Sequence, residues 1–103
     1  MKKADVFVNG IHAGILAELS DGFCFTYNKN YQGSAVSLTI PISSEPIYFK
    51  KFPSFFEGLL PEGIRLEMLL KENKIDRDNY FEQLLVVGQD LVGNVTVQEV
   101  LDE

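Results

Sequence analysis

Tryptophan is absent from this chain, and cysteine and histidine occur once each, as Cys24 and His12. A single cysteine excludes an internal disulfide and any multi-cysteine metal site. A catalytic thiol needs a base partner, and His12 is the one histidine available. Flanked by Phe23 and Phe25, Cys24 reads as a small buried or half-buried residue, and His12 as structural. Long apolar runs are also missing, since no stretch approaches the roughly 20 residues of a membrane span. Met1-Lys2-Lys3 imitates the basic start of a signal peptide. Asp5 and Asn9 then interrupt the apolar run of at least about seven residues that would have to follow. A cytoplasmic location is the expectation. Positive charge is scarce as well, nine Lys and Arg against fifteen Asp and Glu, for a net charge of −6. Domains that track phosphates carry the opposite sign on their binding face, so neither direct nucleic-acid binding nor an anionic membrane is expected. A basic protein partner is.

What is present suits one globular domain. The chain has 103 residues, 46% hydrophobic and 23% charged, which is enough for a single core without disulfide or metal. The first half reads as β-structure. Val6 and Val8 lead to Asn9-Gly10, a two-residue hairpin signal because both residues tolerate positive φ. A strand over residues 11–19 follows, with Gly14 as a bulge or close-packing point. Asp21-Gly22 marks another turn, and Phe23, Phe25 and Tyr27 then alternate with Cys24 and Thr26. Residues 28–33 are a polar loop. Val36, Leu38 and Ile40 alternate and predict a further half-buried strand. Ile47-Tyr48-Phe49 packs or forms a short strand.

The second half changes period. The stretch Phe55-Phe56-Glu57-Gly58-Leu59-Leu60-Pro61-Glu62-Gly63-Ile64 breaks the spacing of a plain amphipathic helix and reads as a short apolar turn that hands over to one. Pro61 suits the first helical position. Ile64, Met68 and Leu69 keep helical spacing beyond it, widened by Leu66 and Leu70. Asp76 is the expected cap of a second helix through Tyr80, Phe81, Leu84 and Leu85, with Gly88 as its stop. Val95 and Val97 share one face of a last strand. The class is α+β: a single domain over residues 1–103, with a mostly antiparallel sheet and two main helices in the C-terminal half.

No enzyme constellation emerges. Gly88-Gln89-Asp90-Leu91-Val92-Gly93 has the glycine spacing of a phosphate loop, but Asn94-Val95 stands where Lys-Ser/Thr should follow. Glu57 and Glu62 suggest an acid–base pair; as carboxylates on a turn between glycines they are more simply helix-end charges or surface contacts. Asp76 and Asp78 match metal ligands only in type, and caps or solvated faces account for them. Catalytic, cofactor-binding and metal residues are therefore all read as none.

Two motifs then carry a resemblance. Phe55-Phe56-Glu57-Gly58-Leu59-Leu60-Pro61-Glu62-Gly63, followed after a helix by Gly88-Gln89-Asp90-Leu91-Val92-Gly93-Asn94-Val95, resembles the N-terminal subdomain of the HipA toxin kinases. Val6-Phe7-Val8-Asn9-Gly10 and Phe25-Thr26-Tyr27 are similar to it too, so the likeness runs from about residue 4 to residue 100. The sequence holds no catalytic-loop His-Arg-Asp, no Asp-Phe-Gly and no nucleotide lysine of a kinase core. It thus resembles the HipS family, the small members of tripartite HipBST toxin–antitoxin systems. The resemblance implies an antitoxin that binds and neutralises a separate HipA-like kinase (HipT), in a complex with a HipB-like helix-turn-helix DNA-binding protein. The alternative it leaves open is a structural or activating subunit that completes a split kinase. The implied contact surface is Phe56, Glu62, Gly63, Ile64, Arg65 and Asp90, with Phe55, Leu59 and Leu60 holding the turn to the core. At Ile64-Arg65 the chain departs from relatives that place a large aromatic there, so a contact at this point runs through other side chains.

Overall fold

The computed structural model describes residues 2–91 and 93–101. Parts of the basic start, of the segment from Gly88 to Gly93 and of the acidic end (Met1, Val92, Asp102 and Glu103) lie outside the described residues.

Four strands follow one another as an antiparallel meander: β1 (Lys3–Val8), β2 (Ile11–Leu19), β3 (Gly22–Tyr27) and β4 (Ile47–Phe49). After the helices the chain returns as β5 (Val95–Glu99), which pairs antiparallel with the free edge of β1 and gives the order β4-β3-β2-β1-β5. Asn9 and Gly10 take φ of 52° and 80°, the positive values that a two-residue hairpin needs. The β1–β2 register shifts between Val6 and Phe7, opposite the bulge beside Gly14. Period-two alternation puts Ala4, Val6, Val8, Leu16, Phe25, Val95 and Val97 on one face, all buried.

Three helices follow β4: α1 (Ser54–Glu57), α2 (Gly63–Asn73) and α3 (Tyr80–Val87). Phe56 of α1 and Phe81 and Leu84 of α3 close the core over the buried sheet face. The rings of Phe23, Phe52, Phe56, Tyr80 and Phe81 meet in tilted and edge-to-face pairs with centroids 5.2–6.4 Å apart. Gly88 ends α3 for a packing reason: a Cβ there would stand 2.1 Å from the Val97 carbonyl oxygen, and Val97 N–H donates to Gly88 O at 2.8 Å. β5 thus lies directly against the helix end. Cys24 is buried. His12 Nε2 lies 2.8 Å from Asp5 Oδ1, and Asn28 Nδ2 sits 3.0 Å from His12 Nδ1, so the one histidine is fixed between two side chains on the sheet.

The structure corrects three local expectations. Residues 36–40 do not form a strand. The Tyr27 hydroxyl accepts from Val36 N–H at 2.9 Å and donates to the Ile40 carbonyl, which draws both ends of a turn inward and leaves Leu38 fully exposed at its tip. Their alternation came from two anchored ends, not from an extended backbone. Pro61 does not begin α2: Glu62 is extended (φ −127°), and Gly63 takes φ +61°, a reversal that suits glycine and sets the helix start there. Asn79, not Asp76, caps α3, its Oδ1 accepting from Glu82 N–H at 3.2 Å. The Asp76 carbonyl accepts from Asn79 N–H at 3.0 Å, a turn that puts the helix cap at Asn79 instead.

Candidate functional site

The turn between α1 and α2 is built by opposite demands on adjacent side chains. α1 is a single turn, and successive side chains on it point about 100° apart. Only one of Phe55 and Phe56 can face the core. Phe56 does so with no exposed surface, while Phe55 is half-buried with its ring edge-on to Phe56 at 5.3 Å. Phe56 is therefore a core residue: of the expected contact surface, it is the one side chain that the fold turns inward. The signal for this was the four-residue spacing from Phe52, whose ring lies 6.4 Å away. Leu59 and Leu60 pack against the core as expected. Hydrogen bonds from Gly58 N–H to Ser54 O (2.9 Å), Leu59 N–H to Phe56 O (3.1 Å) and Leu60 N–H to Glu57 O (3.1 Å) wind the chain tightly up to Pro61.

Beyond Pro61 the remaining expected residues are exposed. Glu62, Gly63, Ile64, Arg65 and Asp90 all face solvent. The fold brings three of them together, since Glu62, Arg65 and Asp90 line one groove of about 510 Å³. Its apolar walls include Leu59, Leu60, Val87 and Leu91, which the sequence reading had not joined to the site. Among the described residues, none of the three charges takes part in an ion pair.

Ile64 and Gly63 stand beside this groove on the first turn of α2. No residue of α2 is buried; Ile64 is 79% and Met68 55% exposed, one helical turn apart. α1 packs on α3 and α3 on β5, but α2 makes no comparably extensive contact. One side-chain tie reaches it across the following turn: Arg77 Nη2 lies 2.8 and 2.6 Å from the two carboxylate oxygens of Glu67. An apolar residue at helical spacing normally marks the buried face. Here the pattern instead offers Ile64 and Met68 to solvent.

Glu57 and Glu62 are both exposed and line a second groove of about 280 Å³ on the other side of Leu60 and Pro61. Two solvated carboxylates on a turn are placed as surface charges. Among the described residues, no group of three or more His, Cys, Asp or Glu side chains is arranged to hold a metal ion, and no helix is long and apolar enough to cross a membrane.

Comparison with known proteins gives this geometry its context. Residues 4–98 match the family model of the HipA N-terminal domain. The chain is similar to an uncharacterised protein of Haemophilus influenzae (strain Rd), with 34% identity over 99 residues that span 96% of this chain and 93% of that protein. Among solved structures it is similar to one described as the N-terminal domain of HipA toxin, at 30% identity and a TM-score of 0.79, covering 100% of this chain and 96% of that one. The fold also recurs in the Shewanella oneidensis MR-1 toxin–antitoxin complex of HipA, HipB and operator DNA. There the identity is 22%, the TM-score 0.75, and the match covers 92% of this chain but 23% of that one.

Proposed function

The chain belongs to the HipA N-terminal domain family, and from that premise we propose that it is a binding module without enzymatic activity. In this reading it is an antitoxin that docks on a separate HipA-like serine/threonine kinase (HipT) and neutralises it. A HipB-like helix-turn-helix protein supplies the DNA contact of the complex. One observation carries the reading: the fold gathers Glu62, Arg65 and Asp90 around one apolar-walled groove beside a helix that buries none of its own residues. A helix of this length gains little stability alone, and most helical stability comes from packing an apolar face. The exposed Ile64 and Met68 are the apolar surface that a partner would cover. Unpaired charges at the rim then set orientation and choice of partner.

The Haemophilus relative supports a module that acts as a separate subunit, because this chain spans 93% of it and that protein is little more than the same domain. A second reading has its own support. The same fold is the N-terminal domain of a HipA toxin, so a free copy can instead complete a split kinase and activate it. Co-expression with the HipA-like kinase separates the two. Neutralisation restores growth in proportion to the amount of this protein. Completion makes the kinase more toxic when this protein is added.

A further inference from the structure

A third groove, of about 570 Å³, lies on the far side of Asp78 and Tyr80 from the Leu-Pro-Glu-Gly turn. Its floor is aromatic: Phe23, Phe52, Tyr80 and Phe81 line it. Their rings are fixed against one another, Phe23 to Phe52 edge-on at 5.2 Å and Phe52 to Tyr80 at 6.0 Å. Phe52 and Phe81 are almost wholly buried, while Phe23 and Tyr80 are half-buried and open to the groove. The rim carries Glu18, Asp76 and Asp78 against a single cation, Lys51. Among the described residues, neither Asp76 nor Asp78 takes part in an ion pair.

We infer that this groove receives an arginine side chain from a partner protein. The argument rests on the floor and the rim together. Aromatic faces attract a cation, arginine above lysine, because the planar guanidinium stacks on a ring while its edge donates hydrogen bonds. Carboxylates at the rim accept those bonds in the charge-assisted geometry that arginine favours. An apolar occupant would satisfy the floor but leave three carboxylates facing it, and an anion would be repelled by the net negative rim, three carboxylates against Lys51 alone. The net charge of −6 favours a basic partner at long range in the same sense. Because Asp78 and Tyr80 also line the groove that holds Leu60, Pro61 and Glu62, a partner seated at that turn reaches the arginine site without a break. The arginine site is nonetheless a separate surface, and its test does not depend on which kinase function holds.

The test is an amide NMR titration of the intact protein with N-acetyl-arginine methylamide, beside its neutral isostere N-acetyl-citrulline methylamide. The arginine compound is expected to give saturable shifts in the millimolar range, centred on Phe23, Phe52 and residues 76–81, and the citrulline compound none. Asp76→Asn with Asp78→Asn should weaken binding by about tenfold or more, as two charge-assisted contacts are lost. Lys51→Ala should strengthen it and serves as an independent check if the double variant is poorly folded. Equal shifts from the citrulline compound, arginine shifts spread evenly over all exposed carboxylates, or no saturable shift at all would overturn the inference.

Discussion

Arg77 places one guanidinium nitrogen 2.6 and 2.8 Å from the two carboxylate oxygens of Glu67, tying the middle of α2 to the turn before α3. Both side chains are more than half exposed, and exposed pairs contribute about 0–1 kcal/mol. α2 is therefore held by a weak tie and by the half-buried Leu66, Leu69 and Leu70. Segments with few buried contacts open far more readily than the whole fold. Amides of α2 should exchange with solvent hydrogen well before those of β1–β3. Glu67→Ala should speed that exchange while lowering global stability by no more than about 1 kcal/mol. Equal protection in α2 and the central strands would show that the helix is integral to the core.

The Tyr27 hydroxyl joins two buried backbone groups, Val36 N–H and Ile40 C=O, at the base of the turn that exposes Leu38. Tyr27→Phe keeps the ring and strands both groups, so urea unfolding should show a loss of about 1–3 kcal/mol. Burial raises this phenol above its ordinary value of 10.0, against the opposing effect of the bond from Val36 N–H. The neutral form is thus favoured in the fold. Its contribution is complete below pH 10.0 and is lost as pH rises through the higher folded value. Lys2 behaves alike on the alkaline side. Its hydrogen bond to Glu82 is the largest cause raising it above 10.5, followed after the opposing effect of burial by the charges of Glu82 and Glu99. Stability should therefore fall above about pH 10, and Tyr27→Phe should flatten part of that fall. An unchanged alkaline slope in the variant would remove Tyr27 as its source.

Phe56 and Phe55 should separate folding from docking. Phe56→Ala deletes a fully buried ring and should cost about 3–5 kcal/mol, a large part of the roughly 5–15 kcal/mol of a typical domain. Any lost function would then follow from unfolding, visible by circular dichroism. Phe55→Ala should cost clearly less, since its ring is half-buried. If Phe55 proved the costlier of the two, the orientation of α1 would be reversed.

Much of this architecture was legible in the residues. Asn9-Gly10 marked its hairpin, and the alternations at Phe23, Phe25 and Tyr27 and at Val95 and Val97 marked their strands, because period-two burial is a local property. Gly88 was found as a helix stop, although the need for glycine comes from Val97, which no local pattern reveals. The turn at Val36 and Ile40 imitated a strand because a distant hydroxyl anchors both ends. For the candidate site, Glu62, Arg65 and Asp90 were named from the sequence, while their meeting in one groove depends on how α3 ends beside the α1–α2 turn. Which of Phe55 and Phe56 faces the core was not legible, because adjacent phenylalanines on one helical turn look alike until something fixes which one packs inward.

The most direct test of the docking surface is the double substitution Ile64→Asp with Arg65→Glu, measured as affinity for the HipA-like kinase and as kinase activity in the mixture. Both residues are exposed, so circular dichroism and the unfolding midpoint should match the parent. A central, desolvated contact costs about 2 kcal/mol or more on loss, so binding should weaken by at least about thirtyfold and kinase activity should return. A folded double variant that binds and silences the kinase as tightly as the parent would contradict the account and place the interface away from α2.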